Sequence, residues 1–205
     1  MFGLKLLMQT HLFDEDKNRL PYQGEAFLFP QFFSPAECHV YYHELLNGIE
    51  WKQEPIKIFG KEVMQPRLTA WYGNKPYTYS GITMQPIPFT PALLAIKEKI
   101  EPVAGVNFTS ALLNLYRDGK DSMGWHRDNE KELGINPVIG SVSFGGARTF
   151  KLRNYQNKKE LRTMELTNGS FLLMSGQTQH YWEHQIPKTS KNTGPRINIT
   201  FRVIK

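Results

Sequence analysis

The sequence predicts a mainly β, α+β fold: a sandwich-like jelly roll with helices packed outside it. Three observations carry this. From Ser110 onward, short alternating or apolar runs are separated by turn-forming breaks. Two helix signatures precede them. The 205 residues suit a single domain able to bury its own core without a structural metal or disulfide.

Taken in order, Asp14 to Arg19 is polar and reads as loop. Ser34-Pro35-Ala36-Glu37 reads as a helix start, with Ser as N-cap, Pro at the first helical position and an acid in the first turn. Leu45, Leu46 and Ile49 supply its apolar stripe before Trp51. A second helix is predicted from Thr90-Pro91 to Ala104, with Leu93, Leu94, Ile96 and Ile100 inward. Between the helices, Ile56 to Pro88 is aromatic and broken by prolines, and Ile56 to Lys61 reads as a hairpin with Phe59 near its tip.

The predicted strands run Ser110 to Arg117, Pro137 to Phe144, Arg148 to Arg153, Leu161 to Leu166, Ser170 to Met174, His180 to Ile186 and Arg196 to Ile204. Breaks such as Asp118-Gly119, Gly145-Gly146 and Asn168-Gly169 separate them. The expected organisation is one domain over 1–205. Residues 23–109 carry the helices and 110–205 the jelly-roll core.

Composition narrows the partners. Twenty-five basic against 19 acidic residues give a net charge of +6, which favours polyanions. The single cysteine, Cys38, forbids an intrachain disulfide. The apolar start, Met1 to Met8, is short and interrupted by Lys5, and no run approaches the roughly 18 apolar residues of a membrane span. A soluble intracellular monomer without a membrane partner is expected, cytoplasmic in a bacterium, with the nucleus open to it in a eukaryote.

His126 and Asp128, two apart, would leave one face of a strand together. Two histidines and a carboxylate with open positions form the facial triad of non-haem Fe(II) oxygenases. The third ligand is His184 or His180, and spacing does not choose between them. In the last strand Arg196, Asn198, Thr200 and Arg202 alternate with Ile197, Ile199, Phe201 and Val203. Turned inward, that polar face would need an anion to compensate its guanidiniums, and side chains converging from both ends suit a small dicarboxylate. Asn114 and Tyr116 share a face in the same way and offer neutral donors.

The run Asn114 to Ser122 followed by Trp125-His126-Arg127-Asp128, the run Trp182 to Pro187, and the run Pro195 to Arg202 together resemble the AlkB-type dioxygenases. The likeness extends from about Gln23 to the C-terminus. It is closest to the eukaryote-type DNA-repair branch and its bacterial relatives. The resemblance implies a double-stranded β-helix with an N-terminal nucleotide-recognition lid. It implies Fe(II) on His126, Asp128 and His184, which decides against His180, and 2-oxoglutarate against Asn114, Tyr116, Arg196, Asn198 and Arg202. Arg196 is the choice for the distal carboxylate. The implied reaction is oxidative demethylation of bases such as 1-methyladenine and 3-methylcytosine in alkylated DNA, or in RNA, releasing formaldehyde and succinate.

Such a base must be flipped or already single-stranded. Pro66 to Gly73 and Pro76 to Ser80 resemble the family's lid, so Arg67, Tyr72, Tyr77 and Tyr79 are expected at the substrate, with Tyr72 stacked on the base. Glu130 resembles the family acid that meets the exocyclic nitrogen, while its neighbour Asn129 replaces an Asp of many relatives. Phe59 is expected to wedge into the base stack. Lys151, Arg153, Lys158, Lys159 and Arg162 form either a phosphate-facing hairpin or a solvated face. The alternative function keeps the same centre and hydroxylates RNA, protein or another substrate.

Overall fold

The computed structural model describes residues 17–58, 61–73, 77–79, 82–84 and 87–205, of which 56–58, 61, 77–79 and 82–84 are described by backbone alone. Fourteen strands are found among them: β1 (Glu25–Phe29), β2 (Pro55–Ile58), β3 (Lys61–Met64), β4 (Leu68–Gly73), β5 (Tyr77–Tyr79), β6 (Ile82–Met84), β7 (Ser110–Tyr116), β8 (Met123–His126), β9 (Ile139–Gly145), β10 (Arg148–Asn154), β11 (Leu161–Leu166), β12 (Ser170–Ser175), β13 (Trp182–Ile186) and β14 (Arg196–Arg202). The helices are α1 (Pro35–Gly48), α2 (Pro91–Ala104) and the single turn α3 (Thr178–Tyr181).

A six-stranded sheet in the order β1-β12-β9-β14-β7-β4 faces a four-stranded sheet in the order β11-β10-β13-β8, and every pairing within them is antiparallel. β2 with β3 and β5 with β6 form separate hairpins. Strand alternation divides the apolar residues into two cores. Leu113, Val142, Ile197, Ile199 and Phe201 leave the outer face of the large sheet and meet Leu45, Leu93, Ile96 and Ile100 of the helices. Leu112, Tyr116, Phe150, Leu152 and Leu172 fill the space between the sheets. The helices thus cover one face of the large sheet, leaving the other for the site.

Both helices begin where their caps predict. Ser34 and Glu37 form a reciprocal capping box, and the Thr90 hydroxyl accepts from the Leu93 amide at 3.3 Å. α2 ends at Gly105, whose φ of 68° is cheap only for glycine. Leu94, expected inward, is 40% exposed, because Leu93, Ile96 and Ile100 already make the buried stripe. His180 is also corrected. It lies in α3, exposed, because the chain makes a helical turn before β13 opens at Trp182. Phe59 lies outside the described residues, although Ile58 pairs with Lys61 across the predicted hairpin.

Candidate active site

The site is built where β8 and β13 face β14. His126, the last residue of β8, stands opposite His184 of β13, with ring centroids 4.2 Å apart. Asp128 lies two residues past the end of β8, so it reaches the histidines from a loop and not, as expected, from the same strand. Its amide donates to the Gln179 side chain at 2.9 Å, and Gln179 is wholly buried in α3. Ligand atoms of His126, Asp128 and His184 all lie within 4.8 Å of one another.

Their protonation suits a cation. His126 Nδ1 is 2.9 Å from the Gly124 carbonyl, an acceptor that fixes the proton there and leaves Nε2 as a lone pair 3.9 Å from Asp128 Oδ1. Burial pushes both imidazoles down, His184 to about 3, so they are neutral at physiological pH. Burial alone would raise the Asp128 carboxyl. Arg202, His184 and His126 outweigh it and hold the group at about 2. Arg202 donates to Asp128 Oδ2 at 2.9 Å, whereas Oδ1, though buried, has no hydrogen-bond partner. A neutral His pair and an ionised carboxylate with one uncommitted oxygen fit a divalent ion such as Fe(II).

The inner face of β14 continues the pocket. Asn198 lies opposite Asn114 and Ser143, and Arg196 opposite Tyr116 and Gly145. Arg196 is 1% exposed. Its Nη2 donates to Ser143 Oγ at 2.9 Å, while Nε and Nη1 are buried without partners. Desolvation lowers its pKa to about 10. Asn198 donates to Ser141 Oγ at 2.9 Å. Ser141 and Ser143 were not singled out in the sequence, although their alternation with Val142 and Phe144 marks them as inward. A pocket joins the two ends, lined by His126, Asp128 and His184 at one side and by Asn114, Tyr116, Arg196 and Asn198 at the other.

The expected substrate residues divide. Arg67 is buried and its Nε donates to Asn114 Oδ1 at 2.7 Å, so it adjoins the pocket through the asparagine. Tyr72 is corrected: it is 4% exposed in the core beneath the helices and is not presented to a base. Strand parity is the cause. Thr69 pairs with inward Asn114 and Trp71 with inward Leu112, which turns Tyr72 outward. Trp71, on the opposite face, is buried in the core between the sheets. Tyr77 and Tyr79 lie on β5, with side chains outside the description. Glu130 is half-buried beside the short 3-10 turn after Asp128. In the basic hairpin, Arg153 and Lys158 pair with Glu183 and Arg162 with Glu160, which commits three of the five cations to acids.

The sequence profile of the family described as the 2OG-Fe(II) oxygenase superfamily matches residues 25–202. The chain belongs to this superfamily. Among similar proteins, alpha-ketoglutarate-dependent dioxygenase alkB homolog 3 of Bos taurus is 42% identical over 187 residues, covering 86% of this chain and 65% of the relative. The chain therefore spans 65% of that relative's length, just under two thirds. DNA oxidative demethylase ALKBH2 of Mus musculus is 35% identical over 201 residues, covering 92% of this chain and 84% of the relative. The solved structure titled "The structure of OsALKBH1" superposes with a TM-score of 0.63 at 14% identity, covering 86% of this chain and 97% of that chain. At that identity the likeness concerns the fold alone, and the jelly roll is the fold it supports. No described helix of the chain is long and apolar enough to cross a membrane.

Proposed function

We propose that this oxygenase removes N-methyl groups from bases of alkylated nucleic acid, using Fe(II), O₂ and 2-oxoglutarate, with DNA repair as its role. The observation that carries the reading is one pocket with two chemically distinct ends. At one end are the neutral histidines and Asp128, whose Oδ1 is uncommitted; at the other is buried Arg196 with two uncommitted N–H groups. The proposed ligands are His126, Asp128 and His184 for Fe(II). Asn114, Tyr116, Arg196 and Asn198 are proposed for 2-oxoglutarate, with Arg202 at the metal end.

When bound, the iron and co-substrate supply an oxidant able to hydroxylate an N-methyl group. The protein's residues do the remaining work. Arg196 fixes the distal carboxylate through charge-assisted hydrogen bonds. Arg202 keeps Asp128 ionised and oriented. The apolar walls Leu112, Phe150 and Ile186 exclude water around the reacting atoms. Nucleic acid as substrate is supported by the net charge of +6 and by the name of the ALKBH2 relative. Arg67 and Glu130 are proposed on the base side, with Tyr77 and Tyr79 lining the approach. Phe59, which falls between β2 and β3 in the sequence, is proposed as the wedge, and Phe59→Ala should then impair duplex substrates more than single strands. Equal loss on both would remove the wedge.

The reaction is tested with Fe(II), ascorbate, 2-oxoglutarate and an oligonucleotide bearing 1-methyladenine, weighed by mass spectrometry. Loss of the methyl group only with iron and 2-oxoglutarate together, abolished by Asp128→Ala, is expected. Succinate formed while the methyl persists would keep the centre and replace the substrate. No succinate would overturn the reading.

A further inference from the structure

Arg148 opens β10 and is 2% exposed, yet among the described residues it forms no ion pair. Its guanidinium is instead spent on three backbone carbonyls. Nη1 donates to Asp118 at 3.0 Å, and Nη2 to Asp121 at 2.8 Å and to Pro187 at 2.7 Å. Those carbonyls belong to two separate loops, one leaving β7 and the other leaving β13. The loops touch directly. The Thr189 amide donates to the Gly119 carbonyl at 2.8 Å, and a Cβ at Gly119 would stand 2.3 Å from the Thr189 carbonyl oxygen. Only glycine permits that approach.

The same guanidinium lies 5.5 Å from the centre of the Tyr116 ring, and Arg196 lies 5.2 Å from it. Asp121 and Asp118 favour the Arg148 charge from beyond ion-pair distance, but a buried guanidinium still depends on its carbonyl acceptors staying in place. Loop closure and the setting of the Tyr116 ring are therefore tied to one side chain. We propose that Arg148 is a positioning residue for the co-substrate end of the pocket, latching both loops and holding Tyr116 where its hydroxyl and Arg196 meet the distal carboxylate. This inference rests on the 2-oxoglutarate reading of the pocket.

The test uses the full chain loaded with redox-silent Mn(II) and titrated calorimetrically with 2-oxoglutarate. Arg148→Met should weaken 2-oxoglutarate binding about tenfold while leaving Mn(II) affinity within about twofold. In turnover, KM for 2-oxoglutarate should rise with kcat nearly unchanged. Because Arg148 acts through Tyr116, adding Arg148→Met to Tyr116→Phe should cost much less than in the wild-type background. Should the Met variant not fold, Arg148→Lys keeps the charge but cannot reach both loops and the ring together, and it should show the same selective loss.

An unchanged affinity for 2-oxoglutarate in a folded variant overturns the proposal. So does equal loss of Mn(II) and 2-oxoglutarate binding, the mark of general loosening, or full additivity with Tyr116→Phe. A wild-type chain that takes up Mn(II) but no 2-oxoglutarate overturns the parent reading, and this inference falls with it.

Discussion

At the residue scale, the Asp128 carboxylate, a proposed metal ligand, is held from two sides by unlike interactions. Arg202 takes one oxygen, and Gln179 takes the backbone amide of the same residue. Gln179 comes from α3, and its own amide nitrogen is 3.8 Å from Met174 Sδ, so both its rotamer and its acceptor are fixed by burial. Gln179→Leu keeps the volume and deletes the acceptor, leaving a buried N–H unsatisfied. Metal affinity should fall about 10–100-fold, as is usual when a group orienting a ligand is lost. Competition between Mn(II) and a chelator would measure it, and wild-type affinity would show that Arg202 alone sets Asp128. Nothing in the sequence pointed to Gln179, because its role depends on a helical turn meeting a loop some fifty residues away. His126, Asp128, His184 and the alternating polar residues of β14 were legible because their chemistry is local to short motifs. Tyr72 was misread because a motif likeness took the place of a parity count, and the pairing of Thr69 with Asn114 reverses it.

At the element scale, α1 and α2 show how local signals become packing. Glu37 caps α1 through Ser34 and also pairs with Lys99 of α2, so one carboxylate ties the two helices together. The Lys99 contact, with help from Ser34 against the cost of burial, lowers Glu37 from an ordinary 4.5 to about 2. A carboxyl with a depressed folded pKa contributes stability above its unfolded value and loses it as pH falls towards the folded one. The Glu37 contribution is thus complete above about pH 5 and declines towards pH 2. Glu37→Gln retains an acceptor at the third helical position but not the charge, so it should cost ~0.3–1 kcal/mol at pH 6. In urea titrations the gap between wild type and variant should be nearly equal at pH 6 and 5 and shrink at pH 4 and 3, and a constant gap throughout would dismiss the ion pair. Both helices were legible because caps and prolines are sequence-local. The turn before β13 was not, because the aromatic Tyr181 and Trp182 that follow His180 suit a strand equally well.

At the scale of the whole molecule, strand order was the least legible property. The alternation in β14 states that one face is polar, but not that the last strand lies between β7 and β9 at the middle of the large sheet. Nor does sequence show that β1 and β4, from the N-terminal half, form that sheet's two edges. That order has a functional consequence. His126 and His184 stand on the small sheet, while Arg196, Asn198, Asn114 and Tyr116 stand on the large one. A dicarboxylate chelated to the metal and gripped by Arg196 would bridge the sheets, which share no strand pairing. Its binding should therefore appear as stability of the entire fold. With free ligand at ~100 times Kd, each binding event contributes about 2.7 kcal/mol, or about 5–10 °C for a chain of this size. Mn(II) alone should raise the melting temperature and 2-oxoglutarate alone should barely move it. The two together should exceed the sum, because the co-substrate needs the metal to complete its site. Arg196→Met should keep the Mn(II) increment and lose the added one. Purely additive shifts, or a co-substrate increment surviving in Arg196→Met, would mean that the ligand does not span the two sheets and that Arg196 does not hold its far end.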